Sequence, residues 1–330
     1  MTGFDTLPLT RPASQLVTIF GGSGFLGRHV VRALAKRGYR VRVACRRPDL
    51  AIFVQPLGNV GQVQPVQANV RVRWSVDRAI EDTDDVVNLV GILFPSGKQS
   101  FDAVHDEGAR TVAESARSFG VGLTHGSALG ADAESASVYA RSKAAGEQAV
   151  LSAVPEAVVF RPSIVFGPED GFFNRFADMA RYSPVLPLIG GGHTLFQPVF
   201  VGDVAEAIAR AVDGKVKGGT IYELGGPEVL SFRGCMEEML KVINRRRRLV
   251  TVPWGIAELQ GAVLGMLPTP LLTRDQVTLL RADNVVSDAA IAERRTITGL
   301  GIRPQAVGAI LPSYLWRFRP AGQFTRRTEA

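Results

Sequence analysis

Residues 15–27 read QLVTIFGGSGFLG, and this stretch decides the fold. Its first seven residues are mostly apolar or β-branched and predict a buried strand, and a helical pattern begins at Phe25. Between them, glycines recur as G-x-x-G-x-x-G at Gly21, Gly24 and Gly27. Glycine lets the strand turn sharply into the helix and brings the backbone close to a diphosphate, which the positive helix N-terminus attracts. The stretch therefore predicts a dinucleotide-binding loop, with a ligand-free glycine-rich turn as the alternative.

Strand patterns alternate with helical patterns through the first half of the chain. Strands are predicted at residues 15–21, 39–46, 63–68, 85–90, 122–127 and 157–162. Helices are predicted at residues 25–37, 75–81 (capped by Ser75), 105–119 and 138–154. This alternation predicts an α/β fold with a doubly wound parallel sheet, the Rossmann type.

The second half of the chain is richer in glycine and proline. Helices are predicted at residues 201–213, 231–244 and 254–266, with a strand at residues 220–224. We expect four parts in all: an N-terminal arm (1–14), a dinucleotide-binding Rossmann domain (15–162), a smaller C-terminal lobe interleaved with the sheet edge (163–319), and a tail (320–330).

Composition and charge exclude several classes of protein. The 330 residues are 46% hydrophobic, as in a globular chain, and the net charge of +7 suits an ordinary basic cytosolic protein or one with an acidic or membrane partner. Cys45 and Cys235 are too few and too far apart for a disulfide framework or a metal cluster, so no metal is expected. No apolar run reaches the ~20 residues of a membrane-spanning helix. Residues 1–15 lack a signal-peptide core, and no basic stripe interleaved with aromatic residues indicates nucleic-acid binding.

Two arginines follow the second predicted strand and bear on the choice of dinucleotide. A carboxylate about 20 residues after the glycine loop would bind the ribose 2′-hydroxyl of NAD, but the chain reads Ala44-Cys45-Arg46-Arg47 there. A guanidinium group pairs with a phosphate through two parallel hydrogen bonds. Arg46 and Arg47 therefore favour NADPH, with solvated surface charges as the alternative. Asn69, after the third predicted strand, is a further candidate for contact with the adenine.

Tyr139 and Lys143 lie four residues apart on one face of a predicted helix. A lysine beside a phenol is expected to lower the phenol's pKa, so that the tyrosine exchanges a proton with a substrate oxygen during hydride transfer. Ser127, at the end of the fifth predicted strand, is a candidate to polarise the same oxygen. The pair is either catalytic or only a clasp for the nicotinamide ribose. Pro162, at the end of the sixth predicted strand, is expected on the nicotinamide side.

The glycine loop, the Tyr-x-x-x-Lys pair and RPSIVFGP at residues 161–168 together resemble the extended and atypical short-chain dehydrogenase/reductases. Longer stretches, among them VVNLVGILF, SKAAGE, LPLIGGG, FQPVFVGDVAEAI and PLLTRDQVTLLRADNVVS, resemble the NAD(P)-binding accessory subunit of respiratory complex I. The resemblance covers residues 15–287. It implies a tightly held NADPH, a place on the peripheral arm near the membrane, and no established turnover. No organellar transit peptide precedes residue 15, so we expect a bacterial version on the cytoplasmic face of the inner membrane.

The resemblance also implies a set of cofactor-binding residues. With the residues named above, this set is Gly21, Ser23, Gly24, Phe25, Leu26, Gly27, Arg46, Arg47, Asn69, Leu89, Val90, Gly91, Ser127, Tyr139, Lys143 and Pro162. Active family members carry paired serines where this chain has Ser127 alone. Ser127, Tyr139 and Lys143 are therefore vestigial candidates for catalysis.

Two C-terminal features indicate surfaces for partners. Arg245-Arg246-Arg247-Arg248 is either a solvated charged edge or a contact with anionic lipid headgroups or an acidic subunit. Residues 254–272 are apolar with helical spacing and are interrupted by two prolines. Their apolar side chains rest on a membrane or partner, or cover the chain's own core: Trp254, Leu259, Val263, Leu264 and Leu267.

Three functions follow as hypotheses. The first is a structural subunit of complex I that holds NADPH. The second is a free oxidoreductase or epimerase that uses Tyr139 and Lys143. The third is a regulator whose affinity for a partner changes with the NADPH/NADP ratio.

Overall fold

Seven parallel strands form the central sheet in the structure, a computed structural model that describes residues 15–267, 270 and 272–320. The strands of this sheet and of the small two-stranded sheets in the described chain are, in chain order, β1 (Leu16–Phe20), β2 (Arg40–Cys45), β3 (Val63–Gln67), β4 (Asp85–Asn88), β5 (Gly122–Gly126), β6 (Val158–Pro162), β7 (Val165–Phe166), β8 (Val185–Ile189), β9 (Leu195–Phe196), β10 (Val199–Phe200), β11 (Thr220–Leu224), β12 (Leu230–Ser231) and β13 (Arg248–Val252). The strand order in the central, seven-stranded sheet is β11-β6-β5-β4-β1-β2-β3, with every pairing parallel. The order reverses beside β1, where such sheets bind nucleotides. The predicted α/β class and doubly wound sheet are confirmed.

Helices cover both faces of the sheet. They are α1 (Phe25–Lys36), α2 (Arg73–Ile80), α3 (Glu107–Phe119), α4 (Val138–Ala153), α5 (Phe173–Tyr182), α6 (Val201–Val212), α7 (Phe232–Val242), α8 (Trp254–Leu264), α9 (Arg274–Leu279), α10 (Asp288–Ala292), α11 (Val307–Ile310) and α12 (Pro312–Leu315). α1 and α6 share a core with one face of the sheet, around Ile19 and Val87. α2, α3 and α4 pack on the other face, around Phe20 and Val86. Because the helices pack on the two faces, the carboxyl ends of the strands are available to form a site.

Two helices start differently from the sequence prediction. α2 starts at Arg73, so the prediction of Ser75 as its cap is wrong. The Ser75 hydroxyl lies inside the first turn, where it accepts the Asn69 N–H at 3.0 Å and bonds the Val72 carbonyl oxygen at 2.8 Å. A π-helical turn, Asp102–Asp106, precedes α3. Such turns insert an extra residue and often mark functional sites.

The second half of the chain completes the sheet and also builds a core of its own. β11 joins β6 as the edge strand, at residues 220–224 as predicted. A separate core surrounds Phe166, Phe173 and Met236, between α5, α7 and the last helices. Along the described chain, no helix has the length and apolarity needed to cross a membrane. The predicted arm and residues 321–330 of the predicted tail lie outside the described residues.

Candidate functional site

The glycine loop joins β1 to α1 at the carboxyl edge of the sheet. Gly21 has a φ of +79°, which favours glycine, and a Cβ there would lie 3.0 Å from the Leu89 carbonyl group. A Cβ on Gly27 would overlap the Gly21 carbonyl oxygen, so α1 starts in close contact with the loop. The first turn of α1 holds no acidic residue and no side-chain cap, which leaves its N–H groups for an anion. The other predicted loop residues form this tip and first turn: Ser23, Gly24, Phe25 and Leu26.

Residues that follow β4 line the neighbouring wall. Leu89 contacts the glycine loop, and the Val90 N–H donates to Asn88 Oδ1 at 3.2 Å. A Cβ on Gly91 would lie 3.4 Å from Lys143 Nζ, so the end of β4 also touches α4. The structure therefore brings together three of the predicted groups: the glycine loop, the end of β4 and the Tyr–Lys helix.

Tyr139 and Lys143 lie in the first two turns of α4. Burial lowers the pKa of Lys143 to about 8, with Glu147 opposing the shift, and Nζ lies 3.4 Å from the Gly126 carbonyl oxygen. Burial raises the pKa of Tyr139 to about 12, and the nearby Asp275 carboxylate adds to the rise. The expectation that Lys143 lowers this pKa is wrong, because removal from water disfavours the phenolate.

The π-helical turn before α3 places His105 beside Tyr139, a contact that sequence analysis missed. Their ring centroids lie 5.4 Å apart and the planes are nearly perpendicular. His105 Nε2 accepts the Ile92 N–H at 3.0 Å, so Nδ1 carries the proton and donates to Ser142 Oγ at 2.9 Å. Ser142 donates in turn to the Tyr139 carbonyl oxygen at 2.8 Å. Burial, with the Lys143 charge adding to it, lowers the pKa of His105 to about 3, so the ring stays neutral.

Ser127 and His125 lie at the end of β5. The Asn88 amide and His125 Nδ1 are 3.3 Å apart, and burial, followed by the Lys143 charge, lowers the pKa of His125 to about 3. Ser127 is buried, and its hydroxyl has no hydrogen-bond partner within the part of the chain that the structure describes. An orphaned buried hydroxyl costs free energy that a ligand group would recover.

Pro162 and Asn284, a residue of the C-terminal lobe, contact the loops that follow β5 and β6. The Pro162 carbonyl oxygen accepts the Leu129 N–H at 2.9 Å. Asn284 donates from Nδ2 to the Leu129 carbonyl oxygen at 3.0 Å, and its Oδ1 accepts from Ser163 Oγ at 2.7 Å. The lobe therefore fixes the loops that follow both strands.

A second contact from the lobe reaches the start of α4. Asp275, the second residue of α9, accepts hydrogen bonds from Ser137 Oγ at 2.8 Å, the Val138 N–H at 2.7 Å and the Tyr139 N–H at 3.2 Å. Sequence analysis missed Asp275, because no local pattern reports a contact across 136 to 138 residues.

The predicted 2′-phosphate site lies just after β2. Arg46 is exposed. Arg47 pairs with Asp49 through Nε–Oδ1 and Nη2–Oδ2 contacts of 3.0 and 2.7 Å, a carboxylate that the sequence analysis did not weigh. Both side chains are more than half exposed, so the pair is weak. The Asn69 amide oxygen accepts the Arg71 N–H at 3.2 Å and shapes its own loop.

The arginine run before β13 divides into two pairs. Arg245 and Arg247 each donate an Nε–H bond of 2.8 Å to a main-chain carbonyl oxygen of the lobe. Arg246 and Arg248 are exposed. Half of the run therefore stabilises the lobe, and the other half is presented to solvent.

α8 and the turn that follows it expose several apolar side chains. Ala257 and Gly261 face inward, and Trp254 packs against Gly190 and under the Arg281 guanidinium, 4.9 Å from its ring centroid. Leu264 is half-buried. Three side chains of α8 and two of the turn after it are 45% to 86% exposed and form what we name the α8 stripe: Ile256, Leu259, Val263, Met266 and Leu267. Of the five apolar residues predicted to cover either the core or a partner, Leu259, Val263 and Leu267 do not cover the core.

Comparisons with known proteins identify relatives that match half or more of the chain. Residues 17–225 match the NAD dependent epimerase/dehydratase family. The Arabidopsis thaliana mitochondrial protein NADH dehydrogenase (ubiquinone) 1 alpha subcomplex subunit 9 is 35% identical over 321 residues, which cover 93% of this chain and 79% of that protein. Ceramide reductase of Caulobacter vibrioides is 37% identical over 177 residues, 54% of this chain and 55% of the reductase.

A solved structure shows the same fold. The NADPH-dependent quinone oxidoreductase QOR2 of Escherichia coli, complexed with NADPH, superposes with a TM-score of 0.70 at 16% identity, over 90% of this chain and 99% of that chain. The resemblance to complex I accessory subunits that the motifs indicate is confirmed by the relatives. The chain belongs to the NAD dependent epimerase/dehydratase family and, with the Arabidopsis protein, to the family of alpha subcomplex subunit 9 of NADH dehydrogenase (ubiquinone).

Proposed function

We propose that the chain is an accessory subunit of respiratory complex I that keeps NADPH as a resident part of its fold. The observation that carries the proposal is the 35% identity to the Arabidopsis subunit over 93% of the chain. That similarity extends through the C-terminal lobe, beyond the residues that match the general dinucleotide-binding family. We place the subunit peripherally on the cytoplasmic face of a bacterial inner membrane, without turnover of its own.

The site residues fit a dinucleotide. The glycine loop leaves no room for a Cβ at Gly21 or Gly27, which keeps the backbone open to a pyrophosphate, and the uncapped first turn of α1 supplies N–H donors. The orphaned Ser127 hydroxyl gains a partner when the nicotinamide ribose or amide lies beside it. Arg46, with Arg47 once Asp49 is displaced, supports a 2′-phosphate and hence NADPH over NADH.

Tyr139 and Lys143 act in this proposal as a clasp and not as an acid–base pair. NADPH carries a transferable hydride when bound, and proton transfer beside it is most efficient from a group whose pKa lies near the working pH. Because burial and Asp275 raise the pKa of Tyr139 to about 12, the phenol keeps its proton. Lys143, whose pKa is lowered to about 8, stays mostly cationic at pH 7 and donates to ribose hydroxyls.

We propose the α8 stripe as the surface that docks on the respiratory enzyme. Exposed apolar side chains grouped within a short segment are typical of an interaction site. Arg246 and Arg248 supply positive charge on the same lobe for an acidic subunit or anionic headgroups.

Native purification from membranes tests the proposal. We expect the chain to co-migrate with NADH dehydrogenase subunits and to release NADPH or NADP when it is denatured. A chain that migrates alone at its own mass of 35.5 kDa, without nucleotide, would contradict it.

A free NADPH-dependent reductase is the second candidate, and the similarity to ceramide reductase together with the intact Tyr139–Lys143 pair favours it. The same purified sample separates the two. The subunit holds its nucleotide without consuming it, whereas a reductase oxidises added NADPH when lipid ketones or aldehydes are supplied. A Tyr139→Phe variant would then lose that oxidation while still binding nucleotide.

A further inference from the structure

The first turn of α4 is held by two different parts of the chain. Ser137 accepts the Ala140 N–H at 3.3 Å, the ordinary cap of a helix start. Asp275 takes the Val138 and Tyr139 N–H groups that this cap leaves over. Tyr139 itself is therefore bonded through its main chain to a carboxylate of the C-terminal lobe.

Asp275 lies in the first turn of α9, which is closed by side-chain hydrogen bonds. Thr273 and Gln276 form a reciprocal capping box at the start of α9, with N···O distances of 3.1 and 3.2 Å. A Cβ on Gly261 would lie 2.9 Å from the Arg274 nitrogen, so α8 and α9 pack backbone against backbone. Val277 is fully buried beneath them. These contacts set where the Asp275 carboxylate lies relative to α8 and α9.

The groups around Tyr139 explain what the carboxylate does there. Lys143 lies one turn along α4, the neutral His105 comes from the π-helical turn, and the neutral His125 comes from β5 beside Lys143. Asp275, from α9, adds a negative charge at the helix N-terminus. That charge offsets the partial positive charge which would otherwise favour a phenolate.

We propose that Asp275 is a positioning residue that holds the first turn of α4, sets Tyr139 and Lys143 as a clasp on the nicotinamide ribose, and slows release of the nucleotide. The proposal rests on the proposed function, because it takes NADPH as the resident ligand. It adds a role for the C-terminal lobe, which would act on the cofactor through the first turn of α4.

Dissociation of NADPH tests the proposal in the full-length chain. Asp275→Asn keeps the size of the side chain and removes its charge. Asp288→Asn is the matched control, since Asp288 is an exposed aspartate in the first turn of α10. After a chase with excess NADP, the fluorescence of bound NADPH should decay about tenfold faster in Asp275→Asn and at the unchanged rate in the control. Equal rates in the two variants would overturn the proposal.

A titration without nucleotide separates positioning from general stability. Tyrosinate absorbance is followed against pH, with Tyr139→Phe identifying the contribution of Tyr139. We expect the Tyr139 midpoint to fall in Asp275→Asn and to stay unchanged in Asp288→Asn. A lower melting temperature with an unchanged midpoint would mean that Asp275 is only structural.

Failure of the unchanged chain to bind NADPH and failure of Asp275→Asn to fold have different consequences for the proposal. If the unchanged chain binds no NADPH, the proposed function fails, and the titration alone decides whether Asp275 acts on Tyr139. If Asp275→Asn does not fold, Thr273→Ala replaces it, because loss of the capping box loosens the turn that carries Asp275. Thr273→Ala should then speed NADPH release by a smaller factor, and an unchanged rate would overturn the proposal.

Discussion

Asp85 begins β4 at the edge of the sheet opposite the glycine loop. Burial, with Asp84 adding to it, raises its pKa to about 7 from an ordinary 3.8, and its Oδ1 has no hydrogen-bond partner among the described residues. The native state therefore holds a proton that the unfolded chain has lost between about pH 4 and pH 7. The contribution of Asp85 to the free energy of unfolding is fully present below about pH 4 and is lost as pH rises through about 7.

Asp85→Asn should remove this penalty. We expect urea unfolding to show a gain on the order of 4 kcal/mol at pH 8 and little at pH 4. Asp288→Asn, at an exposed site, serves as the control and should show no such dependence. An equal gain at both pH values would mean that burial of the charge is not the cause.

Which residues form the site was easier to predict from sequence than their protonation and their ion pairs. Tyr139 and Lys143 lie on α4 as their spacing predicts, and Lys143 lies close to Gly91. The protonation of Tyr139 was not predictable, because it depends on burial and on Asp275. The ion pair of Arg47 with Asp49 was not predictable either, because it depends on how the loop after β2 turns.

At the scale of elements, α4 and the π-helical turn fit together only because Gly146 has no side chain. A Cβ on Gly146 would overlap the His105 carbonyl oxygen. We expect Gly146→Ala to lower the free energy of unfolding by roughly 1–3 kcal/mol and to weaken NADPH binding, because the clash separates His105 from α4. Chemical denaturation and NADPH fluorescence measure the two effects.

Gly255→Ala is the matched control for that prediction. It is also a helical glycine, in α8, but a Cβ there meets no atom within 4 Å. Alanine should therefore be neutral or stabilise the helix by up to about 1 kcal/mol. If the two variants behave alike, close packing at Gly146 is not the determinant.

Local signals account for the elements that were predicted correctly. The strands of the sheet and the start of α1 follow from apolar runs and glycine spacing within a few residues. The start of α2, the π-helical turn and the docking of α9 depend on contacts between segments distant in sequence. No periodicity encodes such contacts, so these features had to come from the structure.

At the scale of the whole molecule, the α8 stripe and the nucleotide site should separate in their effects. Leu259→Asp with Val263→Asp places charge on the stripe without touching the glycine loop or α4. We expect NADPH binding and melting temperature to stay unchanged, while co-migration with the respiratory enzyme is lost. Val60→Asp, a fully exposed apolar position elsewhere, is the control and should preserve assembly. Loss of nucleotide binding in the stripe variant would show that the stripe supports the fold.

The contact of α8 with α9 at Gly261 has a consequence for how the enzyme is built. On the proposed functions, one rigid pair of helices faces the respiratory partner on one side and holds the start of α4 on the other. Free energies of binding at two linked sites are reciprocal. A subunit that has not yet acquired its cofactor would therefore present a less favourable surface for joining the complex, and cofactor loading would act as a checkpoint in biogenesis.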